Sequence, residues 1–390
     1  MRKTLIINAG SSSLKYMMFN MPGYEAIAEG IIERIGQDMG IVTLKFAGEK
    51  ITNEMPIANH EVGIKAMLDL FEENKVIENY DEITKVGHRV VQGGEIFKSS
   101  CLVGEKELEQ IIELAKLAPL HNIPNSVGIE VFTKLIPTAQ NVAVFDTTFH
   151  TTMEENAYIY PVPYSWYEKY GVRRYGAHGT SHQFIAERVC ELEGTNPKLI
   201  NLHLGNGASI TAIKDGKSVM TSMGLTPLGG LMMGTRSGDL DPSILNYMHE
   251  QTGQSIAELT DVLNKESGML GLSEISSDCR DIEDEFYKGN PAAIRTMEIY
   301  TTRIAETVGQ YIVHLGGLDV LTFTAGIGEN AAHVRSMVCE KLAPFGIEID
   351  LEENNVFSQE KVISKPTSKV KVYIIPTQEE FMIAKEAELF

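Results

Sequence analysis

The sequence predicts an α/β protein built from two similar domains. Its 390 residues exceed what one ordinary hydrophobic core accommodates. Strand-like apolar runs alternate with helical patterns along the chain, as in α/β proteins. A strand, a glycine turn and a second strand at 4–19 return about half a chain later at 199–214. Two unrelated glycine hairpins are the alternative, but we interpret the repeat as an ancient duplication in which each domain contributes one hairpin to a shared cleft.

A local sequence pattern predicts each strand and helix. Short apolar runs bounded by turn residues predict strands, and apolar residues at helical spacing, as in 105–117, predict helices. Asp241 is a predicted helix cap, with Pro242 as the first helical residue. The predicted strands are 4–8, a partner ending at 19, 84–91, 141–146, 199–204, 210–214, 319–324 and 371–375, and the helices lie within 53–73, at 105–117, after 241, at 291–315, after 330 and at 378–389.

The composition of the chain argues against several classes of binding partner and cellular location. A formal net charge of −19 argues against a nucleic-acid or membrane-surface protein, because both need a basic face. No window reaches the roughly 18 consecutive apolar residues of a membrane helix, and the first residues lack the pattern of a signal peptide. Cys101, Cys190, Cys279 and Cys339 are too scattered for a zinc site or a disulfide framework. We therefore expect a cytoplasmic protein with reduced cysteines.

Three glycine-rich turns follow apolar strands, at 8–13, 205–209 and 326–330. Glycine lets backbone N–H groups approach phosphate oxygens closely, and small hydroxyl side chains add donors. None of the turns matches the P-loop or dinucleotide-binding patterns, and a single such turn is more often an ordinary hairpin. Three in one chain, two of them related by the repeat, favour a phosphate-binding site.

Two arginines lie in glycine-rich segments. Arg89 comes near the end of a strand, and Arg236 is flanked by Thr235 and Ser237. Surface ion pairs are the alternative, but a guanidinium group binds carboxylate or phosphoryl oxygens with two parallel hydrogen bonds. Asp146 ends a buried strand, where it can orient an active-site group or cap a turn.

The histidines leave several alternatives open. His178 and His182 have the spacing of zinc ligands, but Gly179 starts a predicted helix, so His178 would precede that helix. We therefore prefer His178 as a hydrogen-bond donor to charge that develops in a transition state. His203 and His121 can equally be structural.

Taken in order, these motifs resemble the acetate kinase family, which belongs to the sugar kinase, Hsp70 and actin superfamily. The resemblance implies a duplicated ribonuclease H-like fold with the active site in the interdomain cleft, and a homodimer. It also implies domains at 1–148 plus 381–390 and at 149–380. The segments that carry it are 8–15, 87–91, 145–147, 174–176, 178–182, 203–207, 233–238, 326–330 and 377–380.

The resemblance also implies residue roles. Asn8 and Glu379 would hold Mg²⁺, with Mn²⁺ as an alternative, and Arg89, Asp146 and His178 would act in catalysis. Arg236 would join them, and the acyl pocket would consist of Arg89, Val91, Leu120, Ala177 and Pro227. ATP or ADP would contact Lys15, His203, Leu204, Gly205, Asn206, Gly207, Asp278, Cys279, Arg280, Gly326, Ile327, Gly328, Glu329 and Asn330.

The implied reaction is reversible, direct transfer of the ATP γ-phosphoryl group to acetate. A carboxylic acid is already ionised at neutral pH, so Asp146 is expected to orient groups rather than accept a proton. Ala177 stands where most relatives have Phe, which leaves propionate as an alternative substrate, and a non-catalytic actin- or Hsp70-like switch is a second alternative. Gln92, Ile123 and Gly229 also depart from the family pattern, and the sequence assigns them no consequence.

Overall fold

The structure is a computed structural model that describes residues 2–390, except for the side chains of residues 119 and 120. The chain divides into two compact units. The N-terminal unit consists of the described residues up to Thr151 together with Gln378–Phe390, and the C-terminal unit is Thr152–Thr377.

Both units contain strands and helices. The strands of the described residues are β1 (Lys3–Ala9), β2 (Ser13–Asn20), β3 (Glu25–Glu33), β4 (Gly40–Phe46), β5 (Glu49–Met55), β6 (Ile83–Val90), β7 (Cys101–Leu102), β8 (Gln140–Phe145), β9 (Leu199–Leu204), β10 (Ala208–Lys214), β11 (Lys217–Thr221), β12 (Val320–Thr324), β13 (Lys361–Val362) and β14 (Lys371–Ile374). The helices are α1 (His60–Glu73), α2 (Glu105–Glu113), α3 (Pro119–Leu135), α4 (Glu155–Tyr158), α5 (Tyr164–Tyr170), α6 (Gly179–Glu193), α7 (Ser243–Thr252), α8 (Ile256–Lys265), α9 (Gly268–Ser273), α10 (Cys279–Tyr287), α11 (Pro291–Leu315), α12 (Ala325–Asn330), α13 (Ala332–Leu342) and α14 (Glu379–Ala387).

An eight-stranded sheet forms the N-terminal unit, in the order β5-β4-β3-β2-β1-β6-β8-β7. Strand β1 is central and almost entirely buried, pairing antiparallel with β2 and parallel with β6. Strand β5 is largely exposed and carries charged residues, which protect the edge of the sheet against pairing with other chains. Helices α1 and α3 cover one face, where Leu5, Ile64 and Phe132 belong to one apolar cluster. The other face packs on α14 through Ile6 and Ile383.

A six-stranded sheet forms the C-terminal unit, in the order β11-β10-β9-β12-β14-β13. Its long helix α11 begins where the sequence predicts, because Asn290 accepts a hydrogen bond from the Ala292 N–H at 3.0 Å and Pro291 supplies the first helical residue. The helix ends at Gly316, whose φ of 66° suits glycine. One apolar cluster joins this helix to the sheet through Tyr300, Leu202 and Phe323.

The two sheets share one topology. In the N-terminal unit, β3-β2-β1 are antiparallel and β1, β6 and β8 are parallel. The C-terminal unit repeats this arrangement with β11-β10-β9 and then β12 and β14. The predicted α/β fold with an internal duplication is therefore confirmed. Strands β4, β5, β7 and β13 extend the common core at its edges.

Helix α7 begins at Ser243, directly after Pro242. Asp241 accepts a hydrogen bond from the Ser243 N–H at 2.9 Å, and Pro242 has a helical φ of −59°, so the predicted roles of both residues are confirmed. One local prediction requires correction. The predicted glycine turn at 326–330 is the short helix α12. A Glu329 carboxylate oxygen accepts a hydrogen bond from the Ala325 N–H at 2.8 Å, and this bond closes the helical turn. Among the described residues, no helix has the length and hydropathy that crossing a bilayer requires.

Candidate active site

In the N-terminal unit, a buried ion pair lies at the carboxyl ends of two parallel strands. Arg89 lies near the end of β6, and Asp146 follows β8 directly. The guanidinium group donates from Nε to Oδ1 at 2.9 Å and from Nη2 to Oδ2 at 2.7 Å. The Asp146 side chain is only 1% exposed, whereas that of Arg89 is 17% exposed. Asp146 therefore fixes the guanidinium plane by binding Nε and Nη2, and Nη1 takes no part in the ion pair.

Electrostatics at this ion pair involve a second carboxylate, that of Glu379 at the start of α14. Burial alone would lower the pKa of Arg89, but the charges of Asp146 and Glu379 outweigh it, so the net pKa is raised. Burial raises the pKa of Glu379, Asp146 raises it further, and Arg89 and Lys15 oppose the shift. The Glu379 Oε1 atom is buried without a hydrogen-bond partner among the described residues. Such an orphaned carboxylate oxygen indicates a position for a bound cation or donor.

The first glycine hairpin contributes Asn8 and Lys15. They face each other across the β1–β2 pairing, and the turn closes through a 2.7 Å bond from the Gly10 N–H to the Ser13 carbonyl. Asn8 is half-buried and Lys15 is exposed. An amide oxygen and a carboxylate are ligands that Mg²⁺ accepts, with water completing its shell. The residues of this unit therefore fit a magnesium ion, although the described residues contain no group of three or more His, Cys, Asp or Glu side chains that could hold a metal.

Two asparagines that the sequence analysis missed support this end of the sheet. The Asn125 amide donates to the Ala9 carbonyl at 2.8 Å and accepts from the Val91 N–H at 3.2 Å, so it ties the end of β1 to the end of β6. Asn122 accepts from the Gln92 N–H at 3.0 Å and donates to its carbonyl at 2.9 Å. Both lie on α3, a helix that contains Pro124 and that the sequence patterns did not reveal.

In the C-terminal unit, three histidines surround the second glycine hairpin. His178 precedes α6 with a φ of 57°, so the predicted start of this helix at Gly179 is confirmed. Its ring stacks on that of His203 with centroids 4.1 Å apart. His178 Nδ1 and His182 Nε2 lie 2.9 and 2.7 Å from the same Ser209 hydroxyl oxygen. The two nitrogens therefore converge on a serine.

Arg236 lies beside the same hairpin. It donates from Nη1 to the Pro227 carbonyl at 3.1 Å, and no carboxylate pairs with it among the described residues. Burial lowers its pKa, as expected for a cation that lacks a neighbouring negative charge. A Cβ added at Gly207 would lie 3.6 Å from His178 Nε2 and 3.7 Å from Arg236 Nη1. His178 and Arg236 thus border the same small space above Gly207, where an anion would neutralise the guanidinium charge.

A cavity of about 540 Å³ opens next to this hairpin, which suits a ligand of nucleoside size. Most of the predicted nucleotide residues line it. Its wall also contains Ser277, Glu283 and Ala331, and burial raises the pKa of the half-buried Glu283. The predicted residues in the wall are Gly205, Asn206, Asp278, Cys279, Arg280, Gly326, Ile327 and Asn330.

A profile of the acetokinase family matches residues 3–385. The chain belongs to the acetokinase family. It is 49% identical to acetate kinase 2 of Listeria monocytogenes, and the comparison covers 100% of this chain and 98% of the relative. The crystal structure of Porphyromonas gingivalis acetate kinase superposes with a TM-score of 0.95 at 43% identity, covering 100% of this chain and 99% of that one. A propionate kinase from Francisella tularensis superposes equally well, with a TM-score of 0.95 at 40% identity and full coverage of both chains.

Other residues that the family resemblance implies lie outside the cavity wall. His203 bonds through Nδ1 to the Ser181 hydroxyl at 2.8 Å, and Gly328 is buried. The Glu329 carboxylate binds the backbone, because it accepts one hydrogen bond from the Thr377 N–H at 3.2 Å and another from the Ala325 N–H. Leu204 is buried in the sheet, and the last two residues of that implied set outside the wall are Lys15 and Gly207.

The implied acyl residues belong to both units. Val91 is half-buried after β6, and the Leu120 side chain lies outside the described part of the structure. In the C-terminal unit, Ala177 is 3% exposed within the apolar core, and Pro227 is half-buried.

Three further departures from the family pattern lie at Gln92, Ile123 and Gly229. Gln92 is buried and accepts a hydrogen bond from the Gly94 N–H at 2.9 Å, so it shapes the loop after β6. Ile123 is 43% exposed on α3. A Cβ at Gly229 would contact Asp239 Oδ1 at 3.4 Å.

Gly207→Ala is expected to abolish most activity without unfolding the protein. The added methyl group makes only ordinary van der Waals contacts, but it occupies the space that His178 and Arg236 border. We expect kcat to fall about 100-fold, as when one stabilising donor is displaced from a transition state, with a melting temperature close to that of the wild type. Steady-state kinetics and a thermal melt measure both. Unchanged kcat would mean that no reacting group enters this space.

Proposed function

We propose that this protein catalyses reversible transfer of the γ-phosphoryl group of ATP to the carboxylate of acetate, which gives acetyl phosphate and ADP. The observation that carries the proposal is the half-buried Arg236 guanidinium, which lacks a carboxylate partner among the described residues and borders one space with His178. A transferring phosphoryl group carries negative charge on its equatorial oxygens, and positioned cations and N–H donors stabilise it. This chemistry fits the acetokinase family to which the chain belongs.

The nucleotide is assigned to the C-terminal unit. The cavity wall includes Gly205, Gly326 and Ile327. Backbone N–H groups at the two glycines suit the phosphates, and the apolar side chain of Ile327 suits the nucleobase. The Asp278–Arg280 ion pair at the start of α10 is exposed, with 2.6 Å between Nη2 and Oδ2, so the Arg280 side chain can turn toward a ligand at little cost. Asp278 stays in place, because its carboxylate caps α10 by accepting a hydrogen bond from the Arg280 N–H at 2.9 Å.

The acid is assigned to Arg89 in the N-terminal unit. Because Asp146 holds Nε and Nη2, the guanidinium plane is fixed before the acid binds, and its Nη1 side can receive a carboxylate. The acid is ionised at neutral pH, so its oxygen needs no base before it attacks phosphorus in line. Asp146 accordingly orients Arg89 and does not need to accept a proton. His178 and Arg236 then stabilise the charge of the loose transition state.

The metal is assigned to Asn8 and Glu379. When bound, Mg²⁺ or Mn²⁺ would supply positive charge that neutralises the phosphate oxygens. Lys15, opposite Asn8 in the hairpin, adds a positive charge for the nucleotide phosphates. The orphaned Glu379 Oε1 atom supports this assignment.

Glu379→Gln is expected to remove most of the stabilisation that Mg²⁺ gives the protein. Ligands that bind only the folded state raise the melting temperature, so the wild type should melt higher in millimolar Mg²⁺ than in chelator. The variant should show little of this rise. In chelator it should melt no lower than the wild type, because burial already disfavours the carboxylate. Thermal melts with and without Mg²⁺ measure both effects. Glu380→Gln, with the same charge change on α14, is the control and should keep the wild-type response.

The decisive experiment for the reaction is acyl phosphate trapping with hydroxylamine. Purified protein receives Mg²⁺, ATP and, in parallel, acetate, propionate or butyrate. Acyl hydroxamate with acetate is the expected result. If no acyl hydroxamate forms with any of the three acids, in a folded protein that still binds ATP, the chain is a nucleotide-dependent switch rather than a kinase. A phosphorylated enzyme intermediate on the turnover path would contradict direct transfer.

Propionate is the second candidate acid, favoured by the Francisella propionate kinase likeness and by Ala177. If Ala177 leaves room for one more methylene, Ala177→Phe should lower the propionate-to-acetate ratio of kcat/KM about fourfold, which corresponds to about 0.8 kcal/mol. Because Ala177 is buried in the apolar core, a large side chain risks overpacking, so Ala177→Val is a second, smaller substitution. It should also lower the propionate-to-acetate ratio. Parallel kinetics with both acids measure the ratio. An unchanged or higher ratio in both folded variants would remove Ala177 as the selectivity residue.

We further propose that the protein is a homodimer and that it works in the cytoplasm. Its substrates are these small molecules and not nucleic acid. Light scattering on purified protein measures the oligomeric state directly.

A further inference from the structure

A line of hydrogen bonds crosses the C-terminal sheet and ends at His178. Thr322 on β12 donates to Asn201 Oδ1 at 2.7 Å, and the Asn201 amide nitrogen lies 2.8 Å from His182 Nδ1. His182 Nε2 lies 2.7 Å from Ser209 Oγ, which in turn lies 2.9 Å from His178 Nδ1. The line thus joins three neighbouring strands to the residue that precedes α6.

The inner members of this line are sealed from water. Thr322, Asn201, His182 and Ser209 are each 0% exposed. Buried polar atoms must satisfy one another, because an unmatched donor or acceptor costs about 1–3 kcal/mol. The direction of each bond is therefore determined by the direction of its neighbour.

The direction follows from the amide of Asn201. Its nitrogen can only donate, so His182 Nδ1 accepts, and in a neutral ring the proton of His182 then lies on Nε2. His182 Nε2–H donates to the Ser209 oxygen. The single hydroxyl proton of Ser209 is left to donate to His178 Nδ1. A neutral His178 must consequently carry its proton on Nε2.

That proton is where the reaction needs it. His178 Nε2 borders the space above Gly207, together with Arg236 Nη1. A protonated Nε2 donates a hydrogen bond to a phosphoryl oxygen, whereas a bare Nε2 would present a lone pair to it. With the Asn201 amide turned over, every bond in the line would reverse and Nε2 would be bare.

We propose that Asn201, His182 and Ser209 are positioning residues that hold neutral His178 in its Nε2–H tautomer, aimed at an oxygen of the transferring phosphoryl group. The inference rests on the proposed function for its catalytic meaning. The tautomer itself is a property of the resting protein and is measurable without any substrate. A hydrogen bond to one ring nitrogen of a histidine commonly selects the tautomer in this way.

Nitrogen-15 NMR of histidine-labelled protein tests the tautomer directly. The wild-type spectrum, with His178 assigned through His178→Asn, should show a protonated Nε2 and an unprotonated Nδ1. His182 should show the same pattern. In Ser209→Ala, His178 should lose the preference and show both tautomers. A wild-type His178 that is protonated on Nδ1 would overturn the proposal, whatever the enzyme catalyses.

Kinetics test the consequence. Ser209→Ala should lower kcat about 10- to 100-fold, the range typical of residues that orient a functional histidine through a hydrogen bond, with KM values for ATP and acid within about twofold of the wild type. Thr211→Val is the matched control, because Thr211 lies two residues along β10 and is equally buried. Its hydroxyl lies 2.9 Å from that of Thr221 and bonds to no member of the line among the described residues, and its pairing with Asn201 is through the strand backbone, which the substitution keeps. It should lower stability without lowering kcat.

The outcomes separate the two proposals. If the tautomer is as expected and the wild type forms no acyl phosphate, the proposed function is wrong, but the line of hydrogen bonds still sets the tautomer of His178. If the wild type is active and Ser209→Ala keeps full kcat while changing the tautomer, the positioning role is overturned. Equal kcat losses in Ser209→Ala and Thr211→Val would reduce the effect to stability and also overturn it.

Discussion

Arg236→Ala should lower kcat by about 10³-fold or more while leaving the fold intact. An arginine that neutralises a transferring phosphoryl group contributes about 10³–10⁵ to kcat. The structural cost is small, because the described contacts of the guanidinium group are one hydrogen bond to the Pro227 carbonyl and a 3.5 Å contact with Met233 sulfur. A hydrogen bond of this kind contributes about 1 kcal/mol to stability. The loss should therefore appear in kcat and not in the melting temperature.

The measurement is hydroxylamine trapping at saturating ATP and acetate, with a thermal melt of the same preparation. Arg295→Ala is the control, because Arg295 is also in the C-terminal unit and donates to a carbonyl, that of Leu272, at 2.7 Å, but lies exposed on α11. Added guanidinium should restore part of the activity of Arg236→Ala and none to an unrelated inactive variant. A kcat within tenfold of the wild type would exclude Arg236 from the transition state.

Arg89→Leu should both destabilise the N-terminal unit and remove acid binding. The substitution leaves the Asp146 carboxylate, 1% exposed, without its two strongest hydrogen bonds. Removing one partner of a buried pair costs about 3–5 kcal/mol of stability. The same change deletes the fork proposed to hold the acid, so we expect kcat/KM for acetate to fall about 100- to 1,000-fold, in line with about 2–5 kcal/mol for losing a buried charged contact.

The double variant Arg89→Leu/Asp146→Asn separates the two effects. Without the buried carboxylate, much of the lost stability should return in chemical denaturation, whereas acid turnover should stay low. ATP binding, measured by calorimetry, should survive in both variants, because the proposed nucleotide cavity lies in the C-terminal unit. Recovery of acid turnover in the double variant would show that Arg89 serves the fold and not the substrate.

Much of the fold could be predicted from local patterns. Helix α11 has the predicted bounds because Asn290, Pro291 and Gly316 supply its cap, its first residue and its end. The strands that follow the predicted apolar runs, such as β1 and β9, are central and buried on both faces. Helix α3 escaped prediction because its polar residues Asn122 and Asn125 face inward to bond loops. The exposed strand β5 has too little apolar alternation to be recognised, because its place comes from pairing with β4.

The sequence by itself determined the fold class, the duplication and the ordered motifs that identify the family, because each depends on residues that are neighbours in the chain. Only the tertiary structure decided which polar groups meet. Arg89 and Asp146 are 57 residues apart and become one ion pair because β6 and β8 are parallel neighbours. Asn201, His182 and Ser209 become one line of hydrogen bonds because a helix and two strands exclude water around them. Hydrogen-bond direction, and with it the tautomer of His178, depends on those distant partners.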